Sequence, residues 1–403
     1  MSRTDSVAVA GVGMHPWGAW GKPFIGYGSA AARAALADAG IGWRDVQLVV
    51  GGETIRNGYP GFVAGSALSQ ALGWHGAPVA SCYAACATGA QALSTARAHI
   101  LAGLADVVLV VGADTTPKGF FAPVGGERPD DPDWLRFRLL GATNPAYFGL
   151  YARRRMALRG STEADFAAVK VKNARAGALN PNARFRAEVD AETVLNSPMV
   201  SDPLRLLQIC ATSDGAAAVV LTSEDYARRL NKDAVRIRAV SAPTPTYPRT
   251  VPDFPYLASD SMASNSTATA APATRTFRES LAHAAYEAAG IGPEDVDLAE
   301  VYDLTTAMEL DWYEEIGLCA PGDAEKLLHE GATALGGRVP VNTSGGLSSF
   351  GEAIPAQAIA QVCELTWQLR GDAGARQVER ARVGVAVNQG LFGHGSAIVV
   401  GRK

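Results

Sequence analysis

A cysteine placed where a strand turns into a helix is the residue of this sequence best placed to do chemistry. The run from Val79 to Gly112, VASCYAACATGAQALSTARAHILAGLADVVLVVG, reads as a strand ending near Ser81, a tight turn of small residues, and a helix whose first turn holds Cys86 to Gly89. A thiol there feels the positive end of the helix dipole, which lowers its pKa and favours the nucleophilic thiolate. Backbone N–H groups at the same place can hold an oxyanion. The competing reading is a small buried hydrophobe among alanines and glycines. Cys82 and Cys86 are spaced C-x3-C, but no second ligand pair or nearby histidine accompanies them, so no metal site is expected.

The elements that position this cysteine recur. Ala32 to Leu48 (ARAALADAGIGWRDVQL) and Ala282 to Leu298 (AHAAYEAAGIGPEDVDL) agree at about ten of seventeen positions, about 250 residues apart. Each reads as a helix, a glycine C-cap (Gly40, Gly290), a short loop and a strand. Each half opens on a β-rich segment, from Ser6 and Ala234, and closes on a small-residue turn feeding a buried strand, from Asp214 and His394. Val107 to Asp114 and Arg382 to Gly390 read as further buried strands, each after a long helical pattern. The alternation predicts an α/β fold with helix-covered mixed sheets in two pseudo-symmetric βαβαβ-type halves, residues 1–225 and 226–403. The first half carries an insertion over 115–199, with a helical pattern around Tyr147 to Leu158. Residues 252–276, rich in Ser, Thr, Ala and Pro, read as a surface loop or linker.

Of the 403 residues, about half are apolar, the formal charge of -4 is interspersed, and no basic block points to nucleic acid or an anionic membrane. No apolar run reaches the length of a membrane span, and the N-terminus lacks the pattern of a signal peptide. Five cysteines in so long a chain argue for a reducing compartment, so the expected location is the cytoplasm.

Four motifs in order then carry a family likeness: Cys86-Ala-Thr-Gly-Ala-Gln-Ala, Ser213-Asp-Gly-Ala-Ala-Ala, Glu300-Val-Tyr-Asp-Leu-Thr-Thr and Asn342-Thr-Ser-Gly-Gly-Leu. With them the chain resembles the thiolase superfamily, in particular the branch called sterol-carrier-protein thiolases or lipid-transfer proteins. The resemblance implies a thiolase-like fold and carbon–carbon bond chemistry on an acyl-CoA: acyl transfer, thiolysis, or retro-aldol cleavage of a β-oxo or β-hydroxy acyl-CoA, with a lipid or steroid side chain as one source. Coenzyme A thioester is then substrate, and no bound cofactor is implied. The branch also implies a homodimer and pairing with a small zinc-ribbon/OB-fold protein. A non-catalytic lipid or acyl-CoA binder, or a scaffold subunit of such a complex, is the alternative.

The chain departs from the family pattern at its acid–base positions. The histidine of the family's Gly-His-Pro is replaced in Gly351-Glu352-Ala353, and the second cysteine is missing from Asn388-Gln389-Gly390. Tyr302 stands where the branch has the histidine of its His-Asp motif. The second tyrosine that aldolases of this branch carry after Gly-Glu-Ala is Ile354 here. The expected site therefore has Cys86 as nucleophile or small wall, and Tyr302 and Glu352 as acid–base groups. Backbone N–H groups of Cys86 and near Gly390 form the oxyanion hole, and His394 is a further catalytic candidate. Asn342, Gly345, Gly346 and Tyr147 are the expected substrate contacts. Asp303 and Asp214 read as structural acceptors, and Arg153, Arg154 and Arg155 cannot share one helix face.

Overall fold

A computed structural model describes residues 6–116, 144–230, 235–244, 276–390 and 393–402. In chain order its main elements are β1 (Val7–Gly18), α1 (Phe24–Ala39), β2 (Leu48–Gly52), α2 (Ala64–Leu72), β3 (Val79–Cys82), α3 (Thr88–Leu101) and β4 (Val107–Asp114). There follow α4 (Asn144–Arg159), α5 (Glu163–Ala178), β5 (Asp214–Thr222) and β6 (Val235–Ser241). The last are α6 (Phe277–Ala289), β7 (Leu298–Glu300), α7 (Thr306–Glu315), α8 (Gln357–Arg370), β8 (Val383–Gln389) and β9 (Gly395–Gly401).

The repeated segment folds twice into one shape for a local reason. Gly40 and Gly290 take φ of 72° and 66°, the left-handed conformation that L side chains resist, and so end α1 and α6. The residue after each glycine donates back into its helix, Ile41 N to Leu36 O and Ile291 N to Tyr286 O, both at 3.1 Å. A single helical turn then leads to β2 or β7. Thr276 caps α6 reciprocally with Glu279.

The strands form one nine-stranded mixed sheet in the order β3-β2-β4-β5-β1-β6-β9-β8-β7. Read outward from the antiparallel β1–β6 pair, the halves repeat the order: β5, β4 and β2 on one side, β9, β8 and β7 on the other. β3 has its counterpart in the stretch at Val341, which bridges Ala299 in parallel. The loop after Val341 therefore occupies, in the second half, the place that Cys86 occupies in the first.

One core lies between the halves and joins Leu93 and Ala96 of α3 and Ile359 and Val362 of α8 to strand residues of both. Two others lie under the outer helices, α1 with α2, and α6 with α7. The strands of the middle are apolar on successive residues because both faces are covered: β4 and β5 are buried throughout. The turn at Ile354 and Pro355 reaches across to the first half. A Cβ on Gly112 would lie 2.2 Å from Pro355 O, so only glycine lets this turn, and Glu352 just before it, close onto the end of β4.

The expected insertion holds two long helices, α4 and α5, followed by a largely irregular stretch; its residues 117–143 lie outside the described set, as do 252–275. One local expectation is corrected. The helix after the cysteine begins at Thr88 with Ala87 as N-cap, so Cys86 precedes its first turn rather than sitting in it.

Candidate active site

Cys86 opens onto a cavity of about 170 Å³ at the ends of β2, β3 and β8. Its polar wall holds Glu53, Arg56, Glu352 and Gln389, and its apolar wall Ile55, Phe148, Tyr151, Leu304, Met308 and Ile354. Parallel β2 and β3 run in register, Gly52 opposite Cys82, so the segments that leave them carry Arg56 and Cys86 out at one edge. The turn is tight: Ala85 has φ of 47°, and the Thr88 hydroxyl bonds both Ala84 N (2.9 Å) and Ala85 O (2.6 Å).

Behind Cys86 lies a buried polar chain. The Tyr302 hydroxyl donates to Glu352 Oε1. Its oxygen also faces the Cys86 thiol, from whose S–H it can accept while its own proton is given to Glu352. Tyr302 is fully buried and not among the cavity-lining residues, and Trp312 Nε1 donates to its carbonyl at 2.9 Å. Glu352 and Cys86 do line the cavity, so the tyrosine joins two groups that substrate can reach. Cys210, beside Glu352, is a second buried thiol, placed by its N–H to Leu304 O at 2.8 Å.

Burial dominates the electrostatics here. It pushes the Cys86 thiol up to about 12, with the Glu352 charge adding to the rise and Tyr302 and Arg56 opposing it. This corrects the expectation of a thiol acidified by a helix dipole, which falls off within the first turn and is outweighed by desolvation. Glu352 is likewise held above the usual carboxylate range by burial, against the hydrogen bond from Tyr302 and the charge of Arg56. Tyr302 is raised by burial and then by Cys86 and Glu352. Arg56 is itself tied to Asp114, which also accepts from Thr54 Oγ1 (3.0 Å) and Asn57 Nδ2 (2.8 Å).

Several expected site residues fall elsewhere. Tyr147 is buried and does not line the cavity; Phe148 and Tyr151, three residues apart on one face of α4, do. One position along a helix turns a side chain by about 100°, which motif reading could not resolve. Asn342 serves the fold rather than the cavity, accepting from Val301 N and donating to Glu309, each at 2.8 Å. Gly346 has φ of 61° and would place a Cβ 2.5 Å from Asp303 Oδ2; Gly345 packs against Gly177. This loop anchors Asp303, which accepts from Leu347 N at 2.9 Å and acts as the structural acceptor expected of it. Asp214 does the same for Gly21 N and Thr116 N, at 2.7 and 2.9 Å.

His394 is exposed and is not a cavity residue. Its carbonyl takes the Gly390 N–H at 2.7 Å, which removes that N–H from the expected oxyanion hole. Gly390 matters for another reason. A Cβ there would lie 2.8 Å from Ala84 O and 3.0 Å from Cys86 N, so the strand end lies against the cysteine turn. Gly390→Ala is expected to displace that turn and slow alkylation of Cys86 by iodoacetamide about a hundredfold, with the circular dichroism of the fold unchanged.

Arg56, Asp114, Cys210, Gln389, Phe148 and Tyr151 were not singled out from sequence. Arg56 had a legible signal, a charge just past a buried strand that ends beside the cysteine strand. Cys210 had none, since only the fold brings it to Glu352. Among the described residues no group of three His, Cys, Asp or Glu could hold a metal ion, and no helix is long and apolar enough to cross a membrane.

Two family models cover most of the chain: "Thiolase, N-terminal domain" over residues 25–225 and "Thiolase C-terminal domain-like" over 258–402. The chain belongs to the thiolase family. The acetyl-CoA acetyltransferase of Methanothermobacter thermautotrophicus is similar to this thiolase-family chain at 32% identity, over 97% of this chain and 98% of the relative. The sterol carrier protein 2 of Bos taurus is 33% identical over 98% of this chain and 72% of its own, which places the chain in the sterol-carrier-protein thiolase branch. Among solved structures, the Ltp2–ChsH2(DUF35) aldolase superposes with a TM-score of 0.81 at 23% identity, covering 99% of this chain and 98% of that one. The fold is thereby the thiolase fold.

Proposed function

We propose that this protein cleaves, or in reverse forms, a carbon–carbon bond of a β-oxo acyl-CoA by transferring its acyl group through Cys86. The reading rests on one observation: Tyr302, shut off from the cavity, connects the Cys86 thiol to the Glu352 carboxylate. A phenol in that position has no substrate to act on and can serve the two groups it joins.

A thiol pushed up to about 12 carries almost no thiolate at neutral pH, so it needs a base at the moment of attack. As Cys86 Sγ adds to the β-carbonyl, its proton passes to Tyr302 Oη while the tyrosine proton passes to Glu352 Oε1. Collapse of the adduct breaks the Cα–Cβ bond and leaves the acyl group on sulfur. The CoA-bearing fragment departs as an enolate, and Glu352, now protonated and facing the cavity, returns the proton to its α-carbon. A second CoA thiol then takes the acyl group from Cys86. Glu352 thus fills both roles of the family's missing histidine and cysteine. The apolar wall, with Phe148, Tyr151 and Met308, suits an acyl group bulkier than acetyl.

A second reading is retro-aldol cleavage of a β-hydroxy acyl-CoA with Glu352 as direct base. It is favoured by Glu352 itself, which lines the cavity and is held above the usual carboxylate range by burial. We extend the reading to a two-fold dimer, since β3 is an edge strand among the described residues, and to a small zinc-ribbon/OB-fold partner, as the Ltp2–ChsH2(DUF35) aldolase suggests. A cytoplasmic location goes with it.

Intact-mass spectrometry after incubation with β-oxo and saturated acyl-CoA esters tests the reading. The expected result is an acyl adduct on the wild type that is absent from Cys86→Ala. Cleavage of a β-hydroxy ester with no adduct, and undiminished in Cys86→Ala, would move the assignment to retro-aldol chemistry.

A further inference from the structure

Arg278 is a buried cation that stands outside the Cys86–Tyr302–Glu352 chain. It projects from the first turn of α6, has no solvent exposure, and among the described residues neither Nη1 nor Nη2 has a hydrogen-bond partner. Its charge lies over the Trp312 ring, 4.6 Å from the centroid, and its nearest carboxylate oxygen, Asp311 Oδ2, is 4.0 Å away. A buried guanidinium left so short of partners is costly to keep. Its one hydrogen bond among the described residues is specific: Nε donates to Gln389 Oε1 at 2.6 Å.

That bond decides which way the Gln389 amide points. An N–H donor can face only the carbonyl oxygen of a carboxamide, so the NH2 end is turned away from Arg278. Gln389 lines the cavity, and among the described residues its Nε2 has no protein partner. The residue after it, Gly390, lies against the backbone nitrogen of Cys86. A donor is therefore aimed into the space beside the thiol, with a full positive charge behind it. The cation polarises the amide and strengthens its N–H groups as donors.

We infer that the Gln389 carboxamide, positioned and polarised by Arg278, is a catalytic donor to the substrate oxygen on which negative charge develops. The inference rests on the proposed acyl-CoA chemistry and adds a residue to it. It also replaces a lost part, because the Gly390 N–H expected in this role is spent on His394 O. Gln389 gives up no proton in the step. It holds the oxyanion of the adduct at Cys86, or of the departing enolate, and releases it as the carbonyl re-forms. Arg278 does not touch substrate and is a positioning residue.

The experiment has a kinetic and a spectroscopic arm. Gln389→Leu is expected to lower kcat roughly a hundredfold with little change in KM, the loss usual for one oxyanion donor. Arg278→Met should lower kcat in the same sense, and the double variant should be no worse than Gln389→Leu alone. Arg278→Lys, which keeps a charge and a donor, should recover part of the loss. The second arm works without turnover. A saturated apolar acyl-CoA labelled with carbon-13 at the thioester carbonyl is bound to Cys86→Ala protein with and without Gln389→Leu, and the carbonyl stretch is read by infrared difference. The expected result is a lower frequency in the protein that keeps Gln389, because a hydrogen bond to the carbonyl oxygen weakens the C=O bond. The same frequency in both proteins overturns the inference and leaves the proposed function standing. Failure of the labelled ester to bind either protein sinks the proposed function, and the inference with it.

Discussion

Glu352→Gln is expected to slow acyl transfer to Cys86 by roughly two to four orders of magnitude, the range usual for loss of a positioned base, while making the protein more stable at neutral pH. Glutamine keeps the volume of the side chain and an oxygen that accepts from Tyr302, so the buried chain of groups keeps its shape. What disappears is the site that takes the proton. The pH dependence follows from the raised pKa of Glu352, set by burial ahead of its contacts with Tyr302 and Arg56. The reactive form is the carboxylate, so the wild-type rate falls as pH drops through a value above the ordinary carboxylate range, and this limb is missing from the variant. Stability runs the other way. A group whose folded pKa is raised binds its proton more tightly in the folded state. Its stabilising contribution is complete below the unfolded pKa and is lost as pH rises through the folded one. Glutamine escapes that loss. The melting-temperature difference between variant and wild type should be small in acid and grow as pH rises through this window. An unchanged rate in Glu352→Gln would remove Glu352 from the proton path.

The fold was legible in the sequence because its signals are local and repeated. Gly40 and Gly290 end equivalent helices through the same left-handed turn, and the strands at Val107, Asp214, Val383 and Gly395 are apolar on successive residues because both faces are covered. The site was half legible. Cys86 follows a strand end and Glu352 the Gly-Gly loop, both places that motif and spacing reveal, and both line the cavity. Tyr302 is legible as an acid–base candidate, but nothing in Glu300-Val-Tyr-Asp says that its side chain lies behind the cavity wall rather than in it. The acidity of Cys86 was misjudged for a physical reason. A helix start is visible in sequence, whereas the burial that outweighs it, and the Glu352 charge that adds to it, come from parts of the chain that only the fold brings to Cys86. Asn342, Gly345 and Gly346 form a tight loop whose work is to seat Asp303, so their motif announced a turn and not a ligand.

Arg155→Met should cost about 3–5 kcal/mol of stability, because it strips a shared cation from carboxylates that the fold holds together. The Arg155 side chain is 2% exposed and reaches Asp311 Oδ1 at 2.6 Å, Glu325 Oε1 at 2.8 Å and Glu314 Oε1 at 2.9 Å. Arg153, two residues earlier, makes an exposed pair with Asp202 instead. The three acids come from α7, its end and the segment after it, so Arg155 pins α4 to the second half of the molecule. Methionine fills much of the same volume but leaves three negative charges facing one another. Removing two of those charges in the same chain, with Asp311→Asn and Glu314→Gln, should recover a large part of the loss, because the penalty lies in the uncompensated acids rather than in lost packing. Urea unfolding of the two variants against wild type measures both statements. The functional consequence follows from the helix involved: α4 carries Phe148 and Tyr151 into the cavity one turn before Arg155. Loosening it should raise KM for a bulky acyl-CoA more than it lowers kcat, since Cys86, Tyr302 and Glu352 stand on other elements.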